Sequence, residues 1–219
     1  MAPQTPPTLL LLHGPGQGPT DWQGVVDHLD PARPMFAPWL KGLKPNERET
    51  PPGFSVPPAV DDLVNVMEVR GIERADLVGF SIGALVALQT AARHPSRVAH
   101  VILVSAPPIP PPDMLKMQRR LISMMPASRF PKSMPKDRAL QGVDALIAID
   151  AYTDLKRVQA PTLVVVSTAD AAGPESESKY GKGLNAPVRR LTAPDVDVPA
   201  GAPAELAQLI EDFCSDRLA

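Results

Sequence analysis

The sequence predicts an α/β fold in which a mostly parallel sheet is covered by helices on both faces. Apolar runs of strand length alternate along the chain with segments of helical periodicity, which is the order expected of βαβ units. Several of these runs are uninterrupted, as expected for strands that are buried on both faces. The length of 219 residues and the 44% of apolar side chains suit a single domain over residues 1–219.

The predicted elements can be assigned in order along the chain. About six strands are expected, at Thr8–Leu12, weakly at 35–37, and at Ala75–Phe80, Val98–Val104, 161–166 and Val188–Leu191. A capping box at residues 20–23 predicts the start of the first helix. Further helices are predicted from apolar faces at Val60, Leu63, Val64 and Met67, over Ile82–Arg93, and at Leu206, Leu209, Ile210 and Phe213.

Residues 106–150 interrupt this alternation and are predicted to form an insertion of two helices. Five of the eight methionines lie in it: Met114, Met117, Met124, Met125 and Met134. One interpretation is a lid over a pocket, with Met114, Met117 and Met124 contacting an apolar substrate, because the flexible thioether adapts to irregular ligands. The other interpretation is that the methionines pack the insertion against the domain.

A G-x-S-x-G motif, Gly79-Phe80-Ser81-Ile82-Gly83, stands between a predicted strand and a buried helix. In that context the serine occupies a sharp turn, and its hydroxyl projects above the carboxyl edge of the sheet. The amide of Ile82, at the helix N-terminus, faces developing negative charge, and Phe80 is predicted to contact substrate. The alternative is a serine in an ordinary strand-to-helix turn.

Three segments in this order resemble the α/β-hydrolase fold family, over nearly the full chain. The stretch LLLLHGPGQGPTDW resembles the oxyanion strand and loop of the family. The stretch ADLVGFSIGALVALQTAARHPSRV resembles its elbow and the following helix, and PTLVVVSTAD resembles the strand that carries the acid. The resemblance implies that Ser81 is the nucleophile, that Ile82 donates to the oxyanion and that Asp170 is the acid of the triad. The alternative for Asp170 is a solvated loop carboxylate.

The sequence departs from the family pattern where a catalytic histidine is expected. The resemblance places that histidine shortly before the last helix, but residues 193–199 contain none. Val196 aligns with the expected position, and a register shift of one residue brings Asp195 or Asp197 there. His13 is the one histidine expected near the elbow, either as a structural member of its loop or as a displaced base.

A second departure concerns the oxyanion hole. The residue after His13-Gly14 supplies the other backbone donor in the family, and here it is Pro15, which has no N–H. Gly16 replaces it only if the loop is shifted.

Three functions stay open on these residues. The first is hydrolysis of a small apolar ester, thioester or lactone through Ser81 with a triad that lacks histidine. The second is a non-hydrolytic reaction of a lyase, isomerase or cyclase, in which Ser81 and the Ile82 amide polarise a carbonyl. The third is ligand binding without catalysis, because a fold does not fix a function.

Charge and composition limit the expected partners to a small-molecule substrate. The chain has 22 basic and 24 acidic side chains, a net of −2, without a block of like charge, so neither nucleic acid nor a membrane is expected. Cys214 is the only cysteine, which fits a cytoplasmic protein and excludes a cysteine-based metal cluster. No metal site is therefore expected. No phosphate-binding glycine motif follows the first strand either, since Gly14, Gly16 and Gly18 lack the G-x-G-x-x-G spacing, and no cofactor is expected. No oligomeric state is predicted.

Overall fold

The computed structural model describes residues 6–44, 54–108, 110–130, 136–147, 155–193, 197–215 and 217. Six strands form one sheet in the order β2-β1-β3-β4-β5-β6, and every neighbouring pair is parallel. They are β1 (Thr8–Leu12), β2 (Met35–Phe36), β3 (Ala75–Phe80), β4 (Val98–Val104), β5 (Thr162–Ser167) and β6 (Val188–Leu191). The prediction of a parallel sheet of about six strands is therefore confirmed.

Helices connect the strands. They are α1 (Gln23–Val26), α2 (Val56–Val69), α3 (Ile82–Arg93), α4 (Pro112–Met124), α5 (Lys136–Ile147), α6 (Gly173–Ser176), α7 (Lys182–Leu184), α8 (Val198–Gly201) and α9 (Pro203–Cys214). A π-helical segment over Glu177–Gly181 joins α6 to α7. Across the described ranges, no helix combines the length and the apolar character that crossing a bilayer requires.

The sheet is buried on both faces because successive strand residues point to opposite sides. On one face, strand residues such as Leu9 and Leu11 pack in a cluster with Trp22, Val25 and residues of α9. On the other face, Leu10 and Leu12 belong to a cluster with residues of α2 and α3. Helices on both faces explain why the strands read as continuous apolar runs.

Two local predictions are corrected by the structure. The predicted capping box does not open the first helical segment, a 3-10 helix over Pro19–Trp22 that leads into α1. The N-cap of this segment is Gly18, whose N–H donates to Asp21 Oδ2 at 2.7 Å. The helical stretch from α6 to α7 was not predicted, because its glycines and Pro174 interrupt the apolar periodicity. Buried Tyr180 fixes this stretch through a hydroxyl that donates to the Pro107 carbonyl at 2.6 Å.

The insertion contains the two predicted helices, α4 and α5, which pack against each other. An ion pair between Arg119 and Asp144 joins them, and Leu115 of α4 is buried in the core. Met134 lies outside the described residues. That the segment 106–150 acts as a lid stays a prediction.

Candidate active site

The predicted site residues follow different strands at one edge of the sheet. β2 and β3 lie on opposite sides of β1, so the strand order reverses there, and ligands of open α/β sheets bind outside the carboxyl ends of the strands at such a point. His13 follows β1 and Ser81 follows β3, which flank this crevice. Asp170 follows β5, two strands away, at the same edge.

Ser81 has the strained backbone of a sharp strand-to-helix turn. Its φ of 54° and ψ of −119° lie in a region that residues other than glycine rarely adopt. The Ser81 N–H donates to the Val104 carbonyl at 2.9 Å, and its carbonyl accepts from the Ala84 N–H at 3.0 Å. These bonds hold a conformation that costs about 1–3 kcal/mol. Among the described residues, none makes a hydrogen bond to the Ser81 hydroxyl.

The turn requires glycine on both sides of Ser81. A Cβ atom at Gly79 would lie 2.3 Å from the Gly83 carbonyl oxygen, and one at Gly83 would lie 2.3 Å from the Leu12 carbonyl oxygen. Both approaches are far inside van der Waals contact and involve main-chain atoms, which cannot rotate away. The two glycines of the motif therefore let β3, α3 and the end of β1 meet closely.

The loop after β1 explains the Pro15-Gly16 sequence. The Gln17 N–H donates to the Gly14 carbonyl at 3.3 Å, and Gly16 has a φ of 76°. This arrangement suits a β-turn with proline at its second position and glycine at its third. Of the predicted oxyanion donors, Ile82 is the first residue of α3 and retains its N–H, whereas Pro15 has none to donate. A role for the Gly16 amide stays a prediction.

Gln17 ties this loop to the loop before the last helix. Its Oε1 accepts from the Gly14 N–H at 3.1 Å, and its Nε2 donates to Asp197 Oδ2 at 2.7 Å. Asp197 Oδ1 accepts from the Ala200 N–H at 3.2 Å and caps α8. Gln17 was not predicted as a site residue, since no local pattern in the sequence signals a partner at residue 197. Val196 and Asp195 lie outside the described residues.

His13 is held by both of its ring nitrogens. Nε2 accepts from the Leu40 N–H at 3.1 Å, so Nδ1 carries the proton and donates to the Gly14 carbonyl at 2.9 Å. The ring is buried, packs edge-on against Trp39 with centroids 5.3 Å apart, and burial lowers the pKa of His13. The geometry therefore favours the structural role and leaves no nitrogen to receive a proton from Ser81.

Asp170 stands in a turn that its own carboxylate supports. Its Oδ1 accepts from the Ala172 N–H at 2.9 Å, and its carbonyl accepts from the Gly173 N–H at 3.0 Å. The side chain is half-buried. This position after β5 is the one that the resemblance implies, and the catalytic role of Asp170 stays a prediction.

The four residues expected to contact substrate fall into two groups. Phe80 is 7% exposed, and its ring packs against the loop after β1, since a Cβ atom at Gly14 would lie 3.0 Å from a ring carbon. Met114, Met117 and Met124 are 54, 58 and 74% exposed on α4. Substrate contact by either group stays a prediction.

A second polar cluster lies at the opposite, amino edge of the sheet and was missed. Asp76, His100 and Cys214 offer ligand atoms within 4.8 Å of one another. The Asp76 carboxylate is already engaged, since Oδ2 accepts from Arg33 at 2.5 Å and Oδ1 from His100 Nδ1 at 2.8 Å. Burial raises the pKa of Cys214 to about 12, so it remains a thiol. The cluster suits an anchor for α9 better than a metal centre, and His100 within it is largely enclosed, with 14% of its side chain exposed.

Comparisons with known proteins agree with this architecture. The sequence model of the alpha/beta hydrolase fold family matches residues 7–139. The chain is 37% identical over 101 residues to 2-hydroxymuconate semialdehyde hydrolase of Pseudomonas sp. (strain CF600), covering 45% of this chain and 36% of that protein. It spans about a third to a half of the length of the curated relatives that it matches.

Two solved structures have a similar fold. MenH from S. aureus superposes with a TM-score of 0.75 at 15% identity, covering 100% of this chain and 97% of the other. The enol-lactonase from Burkholderia xenovorans LB400 superposes with a TM-score of 0.73 at 19% identity, covering 98% and 94%. At these identities the likeness shows the fold.

Proposed function

We propose that this chain, which belongs to the alpha/beta hydrolase fold family, is a hydrolase of small apolar esters, thioesters or lactones that acts through Ser81. The observation that carries the proposal is the strained Ser81 backbone at the end of β3, beside the point where the strand order reverses. Backbone strain of this kind clusters at active sites, where the surrounding structure enforces it. A relative named as a hydrolase and a structural neighbour named as an enol-lactonase support the reaction class.

The proposed reaction begins with attack of Ser81 Oγ on the substrate carbonyl. The Ile82 N–H would stabilise the oxyanion, and water would then release the acyl group from Ser81. With Pro15 in place of a second donor, turnover would be about 10²–10³ lower than in an enzyme with a complete oxyanion hole. Loss of the base of a triad costs about 10⁶. The enzyme would therefore be slow on ordinary alkyl esters.

The same deficit defines the substrate class. In a complete triad the histidine protonates the leaving group, whereas here that group must depart as an anion. Thiolates, phenolates and enolates are stable anions, so thioesters, aryl esters and enol lactones should be cleaved before alkyl esters. With no imidazole to receive the Ser81 proton, hydroxide would remove it, and kcat/KM should rise steadily with pH instead of levelling above the pKa of a histidine.

A pH profile with an aryl ester tests this mechanism. We expect kcat/KM for p-nitrophenyl butyrate to rise about tenfold per pH unit through the neutral and mildly alkaline range, and Ser81→Ala to abolish this activity. A fluorophosphonate probe should label Ser81 slowly. Rapid stoichiometric labelling, or a plateau in the profile near neutral pH, would show that the serine is activated by a base.

Restoring the histidine is the complementary test. Val196→His should raise turnover of the aryl ester, and Val196→Gln, which is of similar size but is not a base, serves as the control. Asp170→Asn in the Val196→His background should remove the gain if Asp170 orients the new imidazole. Absence of any gain would mean that the proposed register or the proposed acid is wrong.

The non-hydrolytic alternative is favoured by two observations: Pro15 stands at the oxyanion position, and none of the described residues makes a hydrogen bond to the Ser81 hydroxyl. In that case Ser81 and the Ile82 amide would polarise a carbonyl without forming an acyl-enzyme. Mass spectrometry of the protein quenched during turnover separates the two reactions. An acyl adduct on Ser81 supports hydrolysis, and turnover without any adduct, retained in part by Ser81→Thr, supports the alternative.

A further inference from the structure

Helix α4 presents an apolar stripe to solvent. Its members, each more than half exposed, are Met114, Met117, Leu121 and Met124. Spacings of three, four and three residues place them on one face of the helix. Of the seven large apolar side chains that are exposed within the described residues, five lie between residues 114 and 125. Exposed apolar surface concentrated in this way marks a contact site more often than chance exposure does.

The stripe is not the face that attaches α4 to the protein. Leu115 is 1% exposed and lies in the core. Arg119 pairs with Asp144 of α5, and Ile122 packs against the core from a half-buried position. These residues occupy a different side of the helix from the stripe. One side of α4 therefore holds the insertion together, and the other is open.

The insertion is also the basic part of an acidic chain. Residues 106–150 hold seven basic and four acidic side chains, a net of +3, whereas the whole chain has a net of −2. The exposed Lys116 and Arg120 lie beside the stripe on α4. This charge favours an anionic partner and disfavours a second copy, because a contact through α4 would bring two basic segments together.

We propose that α4 lies in the interface of an anionic lipid surface, with its stripe in the acyl region and its basic side chains among the headgroups. A helix with one apolar face and flanking Lys and Arg is the arrangement that such interfaces bind. The stripe is a ridge of unbranched or flexible side chains on a convex helix. Fluid lipid accommodates a ridge without matching recesses, whereas a protein partner would need them. No membrane contact was expected from the sequence because the whole chain has a net charge of −2 without a block of like charge. That net charge does not reveal the net of +3 within residues 106–150.

Vesicle flotation with the full chain tests this proposal. We expect binding to phosphatidylcholine vesicles that contain phosphatidylglycerol and none to phosphatidylcholine alone, with binding falling as salt rises. Leu121→Glu, in the middle of the stripe, should weaken binding by about tenfold or more. Arg120→Ala should weaken it about fivefold, since a basic side chain near the surface contributes about 1 kcal/mol. Lys116→Ala should weaken it less, because Lys116 lies 3.7 Å from Asp113 Oδ1, which offsets part of its charge.

The chain offers a matched control in Val69, which is 80% exposed near the end of α2. Val69→Glu makes the same kind of change away from the stripe and should leave vesicle binding intact. Circular dichroism of each variant establishes that it is folded. Equal effects of Leu121→Glu and Val69→Glu, or no binding to anionic vesicles, would overturn the proposal. A dimer in light scattering that Leu121→Glu dissociates, without vesicle binding, would assign the stripe to a second copy. Neither result depends on whether Ser81 is catalytic.

Discussion

Replacing Gly83 with alanine sets two physical effects against each other. Gly83 lies in the first turn of α3, where helix propensity alone favours alanine by about 1 kcal/mol. The structure opposes the change, because the new Cβ would lie 2.3 Å from the Leu12 carbonyl oxygen and 2.7 Å from that of His13. The sign of the stability change therefore reports whether the elbow is packed as described.

The magnitude follows from the geometry. Carbon and oxygen atoms in contact are normally about 3.3 Å apart or more, so α3 and the end of β1 must separate by about 1 Å. Overpacking of a rigid site costs typically 1–3 kcal/mol, and the upper end applies here because both obstructing atoms belong to the main chain. After subtracting the gain in propensity, Gly83→Ala should lower the free energy of unfolding by about 2 kcal/mol.

Gly24 provides the matched control. It is also a helical glycine, in α1, but a Cβ there would meet its nearest atom, Pro203 Cβ, at an ordinary 3.4 Å. Gly24→Ala should leave the stability unchanged or raise it by up to about 1 kcal/mol.

Urea and thermal denaturation of both variants decide the matter. The Tm of Gly83→Ala should fall by about 4–8 °C, as expected for 2 kcal/mol in a domain of this size. If both variants were stabilised alike, propensity would govern both sites, and the close approach of α3 to β1 would be refuted.

Three further predictions concern the residues around the sheet. Burial holds the pKa of His13 below its ordinary 6.5. Below that pH the unfolded chain therefore binds a proton that the folded protein does not, and the free energy of unfolding should fall as pH drops from about 7 to 5. His13→Gln should remove this part of the pH dependence in urea titrations. Asp76→Asn removes the nearer of two carboxylates from the buried guanidinium of Arg33, which keeps Glu211 at 3.5 Å, and should cost about 3 kcal/mol in the same assay, the lower end of the cost of breaking a buried ion pair. Glu177→Gln, which breaks the more exposed pair with Arg190, should change the stability little, and equal effects would contradict the buried position of Asp76. Gly16→Ala, at a φ of 76° with open space around it, should lose about 1 kcal/mol to backbone strain alone, and an unchanged Tm would contradict the turn.

The sequence predicted best those parts of the fold whose signal is local. β3 and β4 have the predicted bounds, because strands buried on both faces need continuous apolar residues and stand out from their neighbours. The elbow was predicted for a similar reason, since the required glycines flank Ser81 within five residues. At the insertion, periodicity predicted two helices without showing which side of α4 would face outwards.

What the sequence did not predict depends on contacts between distant residues. The partners of Gln17 and of His100 lie 180 and 24 residues away, and neither pair leaves a periodic pattern. The stretch from α6 to α7 was missed because tertiary contacts, such as that of Tyr180 with Pro107, stabilise helical turns that local propensity disfavours. The capping residue was assigned wrongly for a different, local reason, since the Asp21 carboxylate accepts from the N–H of Gly18, two residues before the predicted capping box.

The bond between Gln17 and Asp197 has a consequence for biosynthesis. A ribosome delivers residue 17 long before residue 197, so the loop after β1 must wait for almost the entire described chain before it gains this support. In a nascent chain that has already formed β1, β3 and the elbow, the loop after β1 would still lack its hydrogen bond to Asp197. Newly made protein should therefore become competent for substrate only after the final helices have emerged and docked.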